Sequence, residues 1–277
     1  MITLPTIFIV LEIMCFKIAR IYRLRLVLFF LLAMLMPSIT TAKQFDFDAW
    51  DALLKKYVNY NIRDDIQLNT INYKKLKSER LFSELLSDLN SFSPSQLETH
   101  EEKLAFWINV YNIFAVKIVT ENYPLKSIKN IGGLFKSVWK YKAGSVGSRA
   151  YTLNQIEHKI LRKMGEPRIH VAIVCASISC PDLAVDAFRS EKLNEQLDFQ
   201  VRSFLTNTGK GMRLDTIGKR LFLSSIFDWF KEDFDSVGGV LKFIDPYIAS
   251  KDKQLLEDSN LSIIYMDYNW RLNDSKL

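Results

Sequence analysis

The sequence predicts an α+β fold, a mostly helical single domain with a small antiparallel or mixed sheet. Two observations lead to this prediction. Helical segments follow one another in runs, and the few strand-like segments do not alternate with them as they would in a βαβ chain. No internal repeat or low-complexity linker divides residues 43–277, which are numerous enough to form one large domain with a substantial core.

The first half of this region is predicted to be helical. Apolar residues recur at helical spacing from Phe47 to Val58 and again from Leu76 to Leu89. A long helix is predicted from Glu101 to Asn122, because the proline at position 124 disfavours helix in the residue before it. Apolar side chains lie nearly all round this helix, so it should be central and buried.

The middle of the chain mixes turns with short elements. Residues 125–150 are rich in Gly, Lys and Ser and predict a loop or a short hairpin. Thr152 and Gln155 form a capping-box pattern, which starts a helix that should end near Gly165. The apolar run Arg168–Val174 then predicts a strand.

The C-terminal third predicts alternating helices and strands. The expected elements are a helix over about Glu191 to Thr206, a hairpin of Met212–Asp215 and Arg220–Leu223, a helix capped by Ser225, a helix after Gly239, and a strand over Ile263–Tyr268.

Residues 1–42 have the pattern of a secretory signal peptide. A basic segment precedes the apolar run Leu26–Met36, and Thr40–Ala42 supplies small residues at the cleavage position. The run is shorter than the roughly 20 apolar residues of a spanning helix. We therefore predict a periplasmic or secreted protein, attached to a membrane only if this segment is not cleaved.

The charge balance gives no sign of nucleic-acid binding. The formal net charge is +6, and it falls to +3 without residues 1–42, which hold four Lys/Arg and one Glu. The remaining Lys and Arg are scattered among Asp and Glu, without a basic tract. No motif for a nucleotide, sugar or cofactor is present, so neither a nucleic-acid partner nor a cofactor is predicted.

Six sequence blocks carry a resemblance to a known family. They are Phe106-Trp-Ile-Asn109-Val-Tyr-Asn112, Ile156-Glu-His158-x-Ile-Leu-Arg162, Arg168-Ile-His170, Ser179-Cys180-Pro181, Asp228-Trp-Phe-x-x-Asp-Phe234 and Tyr268-Asn-Trp-Arg-Leu-Asn273. In this order they resemble the domain of unknown function 547 family, over a core of about residues 100–210. Together with the signal segment, the resemblance indicates an exported bacterial member. It implies no established activity, so the chemistry has to be argued from the residues.

The two cysteines outside the signal segment form the densest chemical feature. Cys175 and Cys180 share one short loop, and His158 and His170 lie just before it. Cys180 precedes Pro181, a residue favoured at the start of a helix, where the helix dipole would lower a thiol pKa. Cys175 would end an apolar strand and pack as a small hydrophobe. The sequence thus favours Cys180 as the functional thiol.

Four further side chains complete the candidate site. His170 or His158 would act as the general base, and His170 is preferred because its strand leads directly into the cysteine loop. Asn109 and Asn112 share one face of the long helix and should be buried with hydrogen bonds to protein groups. They would either pin neighbouring backbone or orient the histidine and donate to an oxyanion.

These residues leave several functions open. The first is a cysteine-dependent hydrolase or acyl/amide transferase, acting on a small-molecule or peptide substrate with Cys180 as nucleophile. The alternative is a non-catalytic periplasmic binding or interaction domain with a Cys175–Cys180 disulfide, which could also act as a redox lock. Thiol redox chemistry is a third possibility, although no CxxC motif is present. A zinc site formed by both cysteines and both histidines is a fourth.

Overall fold

The computed structural model describes residues 44–132 and 137–276. These residues form mainly helices, with three small sheets of two or three strands, so the predicted α+β class is confirmed. The predicted signal segment lies outside the described residues.

The first elements surround the central helix. They are α1 (Asp48–Tyr57), β1 (Val58–Arg63), β2 (Ile66–Ile71), α2 (Tyr73–Leu76) and α3 (Arg80–Ser91). Strands β1 and β2 pair antiparallel through a turn at Asp64 and Asp65, both of which have positive φ. The apolar face of α1 is buried, as the helical spacing predicted.

The long central helix, α4 (His100–Glu121), is confirmed. Thr99 and Glu102 form a reciprocal capping box at its start. By length and composition alone this helix could cross a membrane, yet 89% of its most apolar window is buried inside the protein. It is therefore the core helix of the fold.

A hairpin and a composite helix follow. Strands β3 (Lys142–Val146) and β4 (Arg149–Thr152) pair antiparallel, and the capping box at Thr152 forms as predicted. The helical segment after it consists of α5 (Leu153–Gln155), a π-helical turn (Ile156–Ile160) and a 3-10 turn (Leu161–Met164). Gly165 ends it with φ of +74°.

The predicted strand Arg168–Val174 is wrong. Residues Pro167–Val171 form a 3-10 turn instead. The side chain of Glu166 accepts a hydrogen bond from the Arg168 N–H at 3.0 Å and also binds the Arg168 guanidinium, so it caps a helical turn. A short apolar run does not distinguish a buried strand from a buried turn.

The C-terminal elements are α6 (Leu193–Thr206), β5 (Met212–Asp215), β6 (Arg220–Ser224), α7 (Ile226–Trp229), α8 (Lys231–Asp235), α9 (Val240–Ile244), α10 (Lys253–Leu256) and β7 (Ser262–Met266). Strand β6 pairs antiparallel with β5 and parallel with β7, which gives the mixed sheet that was predicted. Ser225 does not cap α7 through its side chain, because its hydroxyl donates to the carbonyl of Met266.

Two hydrophobic clusters form the core of the unit Lys43–Leu277. One surrounds α4, and the other packs β6 against α6, α7, α8 and α9. They meet at the segment after Pro167, where Ile169 and Ala172 belong to the first cluster and Val171 to the second.

Candidate active site

A cavity of about 420 Å³ is lined by residues of both hydrophobic clusters. Val174 comes from the first cluster and Ile226 from the second. Aromatic side chains form much of the wall: Tyr111, Trp139, Trp229, Phe230, Tyr268 and Trp270. The ionisable groups on the wall are Lys140, Glu157, His158, His170, Cys175 and Cys180, together with the two tyrosines. The structure thus brings both thiols and both candidate histidines to one cavity.

Asn112 holds the backbone that leads into the cysteine loop. Its side-chain amide donates to the Ala172 carbonyl at 2.9 Å and accepts from the Val174 N–H at 2.9 Å. Asn109 holds Phe188 by the same pair of bonds, at 2.8 and 2.9 Å. Both asparagines are buried and bonded to protein groups, as predicted. Neither lines the cavity; Asn112 positions Val174, which does, whereas Asn109 fixes Phe188, which does not.

The C-terminal segment 268–273 lies across the cysteine loop and is hydrogen-bonded to it. The Ile178 N–H donates to the Arg271 carbonyl, and the Asn273 N–H donates to the Ala176 carbonyl. Because this segment crosses the loop here, it places the Tyr268 hydroxyl within hydrogen-bond distance of Cys175. The last sequence block of the chain thus has a structural role in the site.

Cys175 is the thiol with polar partners at the cavity. Its Sγ lies 3.0 Å from the Ser177 hydroxyl and 3.2 Å from the Tyr268 hydroxyl. Burial raises the pKa of the Cys175 thiol, but hydrogen bonds with Cys180, Ser177 and Tyr268 outweigh burial and lower it to about 7. The lowered pKa favours the thiolate form of Cys175.

Cys180 is the more buried thiol. Its Sγ accepts a hydrogen bond from the Cys175 N–H at 2.8 Å, and only 3% of the residue is exposed. Burial and the hydrogen bond to Cys175 raise the pKa of the Cys180 thiol well above its ordinary value. Both cysteines are free in the structure.

The structural reasons given above for preferring Cys180 do not hold. No helix begins at Pro181, since the described residues from Pro181 to Arg189 contain no helix or strand. Cys175 does not end a strand, because that segment is a turn. The two thiols therefore exchange their expected surroundings: Cys175 is partly exposed with polar partners, and Cys180 is enclosed.

His170 is fully buried in the wall and bonds through Nε2 to Asp233 at 2.7 Å. A carboxylate only accepts hydrogen bonds, so the proton of the neutral ring lies on Nε2 and Nδ1 is left as an acceptor. Burial lowers the pKa of His170 to about 4, although Asp233 opposes this shift. The ring is thus neutral at pH 7, and it stacks on Phe230 with ring centroids 3.9 Å apart.

His158 has the same tautomer, fixed through its other ring nitrogen. Its Nδ1 lies 3.0 Å from the guanidinium of Arg162, which only donates, so Nδ1 accepts and Nε2 carries the proton. Burial and then the Arg162 charge lower the pKa of His158. Arg162 also binds Asp233 through two nitrogens, at 2.6 and 2.8 Å. One ion pair therefore fixes both tautomers.

Glu157 is the acidic group of the cavity. It lies in the π-helical turn beside His158 and accepts a hydrogen bond from the Tyr111 hydroxyl at 3.0 Å. Burial raises the pKa of Glu157 to about 7, and the bond from Tyr111 only partly offsets this. A carboxyl group in this range can donate or accept a proton at neutral pH. Single π-helical turns inside helices are frequent at functional sites.

Glu157, Asp233 and Tyr268 contribute to the site but were not predicted from the sequence. Each lies inside one of the six blocks named above, so the blocks were the signal that could have found them. Their roles depend on contacts between distant segments, such as the bond between His170 and Asp233.

No metal centre is found in the part of the chain that the structure describes. There, no group of three or more His, Cys, Asp or Glu side chains is placed to hold an ion. The zinc alternative, which required both histidines and both cysteines, therefore finds no ligand set.

The fold and the cavity define an α+β protein with a thiol and a carboxyl group of near-neutral pKa in one aromatic-walled site. Residues 94–205 match the model of the family described as "Protein of unknown function, DUF547". This agrees with the resemblance and the core region expected from the sequence. No curated protein and no solved structure matches the chain. Asp233 and Tyr268 lie outside the matched segment.

Proposed function

We propose that the cavity is the active site of a thiol-dependent hydrolase or transferase acting on acyl or amide bonds, with Cys175 as the nucleophile. The observation that carries this proposal is the placement of Cys175, which lines the cavity with its Sγ between the hydroxyls of Ser177 and Tyr268. Cys180, the nucleophile expected from the sequence, supports Cys175 from a more buried position.

The proposed reaction has two steps. The Cys175 thiolate attacks the substrate carbonyl carbon, a carbon–sulfur bond forms, and the bond to the leaving nitrogen or oxygen breaks. The leaving group takes a proton from the carboxyl group of Glu157. Water, or a second acceptor in a transferase, then loses a proton to the Glu157 carboxylate and displaces the thiolate. The acyl group leaves with the incoming oxygen or nitrogen.

The histidines bind substrate in this proposal and do not activate the thiol. Neither His158 nor His170 has a hydrogen bond to either cysteine among the described residues. A thiol with a pKa of about 7 supplies thiolate at neutral pH without a separate base. His158 presents its Nε2–H as a donor, which suits a substrate carbonyl oxygen.

Acyl-enzyme trapping tests the proposal. The purified protein is incubated with p-nitrophenyl acetate, and the acetylated residue is located by peptide mass mapping. We expect one acetyl group on Cys175 and a burst of p-nitrophenolate that is absent in Cys175→Ser. Cys180→Ser is the matched control and should keep the burst. Acetylation confined to lysines, or a burst that survives in Cys175→Ser, would contradict the proposal.

The alternative is a non-catalytic periplasmic binding or interaction domain, in which both cysteines form a disulfide. It is separated from the enzyme by counting free thiols in protein isolated from its native compartment. Two free thiols and a fast-reacting Cys175 favour the enzyme, whereas no free thiol and unchanged behaviour on reduction favour the binding domain.

A further inference from the structure

We propose that the substrate of this site carries a secondary amide, whose N–H donates a hydrogen bond to Nδ1 of His170. This inference rests on the proposed function and adds a substrate class to it. Amides and esters both offer a carbonyl oxygen, but only an amide with a free N–H also offers a donor.

The first observation is an unpartnered buried acceptor. His170 lines the cavity, its side chain has no exposed surface, and Nδ1 has no hydrogen-bond partner among the described residues. A buried polar atom left without a partner costs about 1–3 kcal/mol. Such atoms are rare in folded proteins, and this one belongs to a residue that lines the aromatic cavity described above.

The second observation is that Nδ1 must remain an acceptor. Nε2 of His170 lies 2.7 Å from Oδ2 of Asp233, which keeps the ring proton on Nε2, and Arg162 binds both oxygens of the Asp233 carboxylate. Switching the tautomer would break the bond to Asp233. A partner for Nδ1 therefore has to bring its own hydrogen.

The third observation is a complementary donor on the same wall. His158 accepts from Arg162 through Nδ1, so its Nε2–H is free to donate. Both imidazole rings lie beside Phe230, with centroid distances of 3.9 Å for His170 and 6.4 Å for His158. The wall thus offers one acceptor and one donor, which is the complement of an amide group. An ester satisfies only the donor.

The test uses chloroacetyl probes, which alkylate Cys175 and differ in one group. N-benzylchloroacetamide has an N–H, N-benzyl-N-methylchloroacetamide has none, and benzyl chloroacetate has an ester oxygen in its place. The benzyl group suits the aromatic wall. Second-order rates of Cys175 alkylation are measured by mass mapping and divided by the rate of each probe with glutathione, which removes intrinsic reactivity.

We expect the secondary amide to exceed both other probes by about tenfold or more after this division, because a site built to bind an N–H rejects analogues that lack it. His170→Phe should bring the ratio close to one, since phenylalanine keeps the aromatic stack but has no acceptor. His100→Phe changes a histidine at the exposed start of α4 and should leave the ratio unchanged.

Two results would overturn the inference, and they differ in what they say of the enzyme. If Cys175 is alkylated rapidly by all three probes with a normalised ratio near one, His170 does not bind a substrate N–H, and the thiol-dependent function stands. If Cys175 reacts no faster than glutathione with any probe, the proposed function and the inference fail together.

Discussion

Cys175 and Cys180 lie in one short loop, yet their surroundings differ in the property that decides thiol reactivity. Hydroxyl groups of Ser177 and Tyr268 stabilise the thiolate of Cys175, whereas Cys180 is enclosed and bonded to its neighbour. These contacts are the basis for proposing Cys175 as the reactive thiol, because a buried thiolate is stable only where hydrogen-bond donors replace lost solvent.

Tyr268→Phe should raise the pKa of Cys175, because it removes a hydroxyl donor 3.2 Å from Sγ. A higher pKa leaves less thiolate at pH 7, so the midpoint of alkylation against pH should move to higher pH. Iodoacetamide labelling from pH 5 to 10 measures this. Tyr247→Phe removes a hydroxyl bonded to Asp198, outside the cavity, and should leave the midpoint in place. An unchanged midpoint in Tyr268→Phe would remove Tyr268 from the site.

Asn112→Ala should lower the free energy of unfolding by about 1–3 kcal/mol, because it leaves buried groups of Ala172 and Val174 without their partners. Urea unfolding of the variant measures the loss. Asn90→Ala is the matched control, since Asn90 is exposed on α3 and the change should cost no more than about 0.5 kcal/mol. Equal midpoints for the two variants would show that Asn112 does not pin this backbone.

Residue-level expectations succeeded where a local rule applies. Two polar side chains on an otherwise apolar helix had to be buried and bonded, and Asn109 and Asn112 are. The structural premise for ranking Cys180 above Cys175 was wrong, because no helix forms at Pro181. Thiol pKa depends on donors from distant segments, and Tyr268 could not be placed beside Cys175 from its position in the chain.

At the scale of elements, the helical segment between Thr152 and Gly165 carries both Glu157 and His158. The capping box at its start and the glycine at its end were readable from the sequence. The π-helical turn Ile156–Ile160 was not, since periodicity does not reveal one extra residue within a turn. Glu157 and His158, which both line the cavity, lie in this turn.

Glu157→Gln should change how stability depends on pH. The pKa of Glu157 is about 7 in the folded protein and 4.5 as an ordinary group, so between these values the folded state binds a proton that the unfolded state has lost. Wild-type stability should therefore fall as pH rises from about 4.5 to about 7. Glutamine does not titrate. The free energy of unfolding of the variant, relative to that of the wild type, should therefore rise by about 3 kcal/mol across this range.

Urea unfolding of the wild type and Glu157→Gln at pH 4 and pH 8 measures this difference. Glu101→Gln, on the exposed first turn of α4, is the control and should show little change relative to the wild type. A stability difference for Glu157→Gln that is the same at both pH values would mean that folding does not shift the pKa of Glu157.

At the scale of the whole molecule, the cavity lies where the two hydrophobic clusters meet, beside the segment that carries His170. Residues of both clusters line it. Helix positions and the fold class were predictable from apolar spacing and turn signals. The meeting of residues 268–273 with the cysteine loop was not, because pairing between segments about 90 residues apart leaves no local pattern. The same holds for the ion pair of Arg162 with Asp233.

Export is a prediction at this scale, and it comes from the sequence alone. The basic segment, the apolar run Leu26–Met36 and the small residues at Thr40–Ala42 predict cleavage close to Lys43. N-terminal sequencing of protein recovered from a periplasmic extract should therefore begin near Lys43. An intact Met1 on membrane-bound material would mean that the segment is an uncleaved anchor.

Cys175 is proposed as the reactive thiol of an enzymatic cavity. The most direct test of this proposal is the rate of iodoacetamide labelling of each cysteine in the purified wild-type protein, measured against pH by peptide mass mapping. Cys175 should label fast with a midpoint near pH 7, while Cys180 stays unlabelled until a much higher pH. Preferential labelling of Cys180, or a Cys175 midpoint at or above the ordinary thiol value of about 8.5, would rule out Cys175 as the reactive thiol.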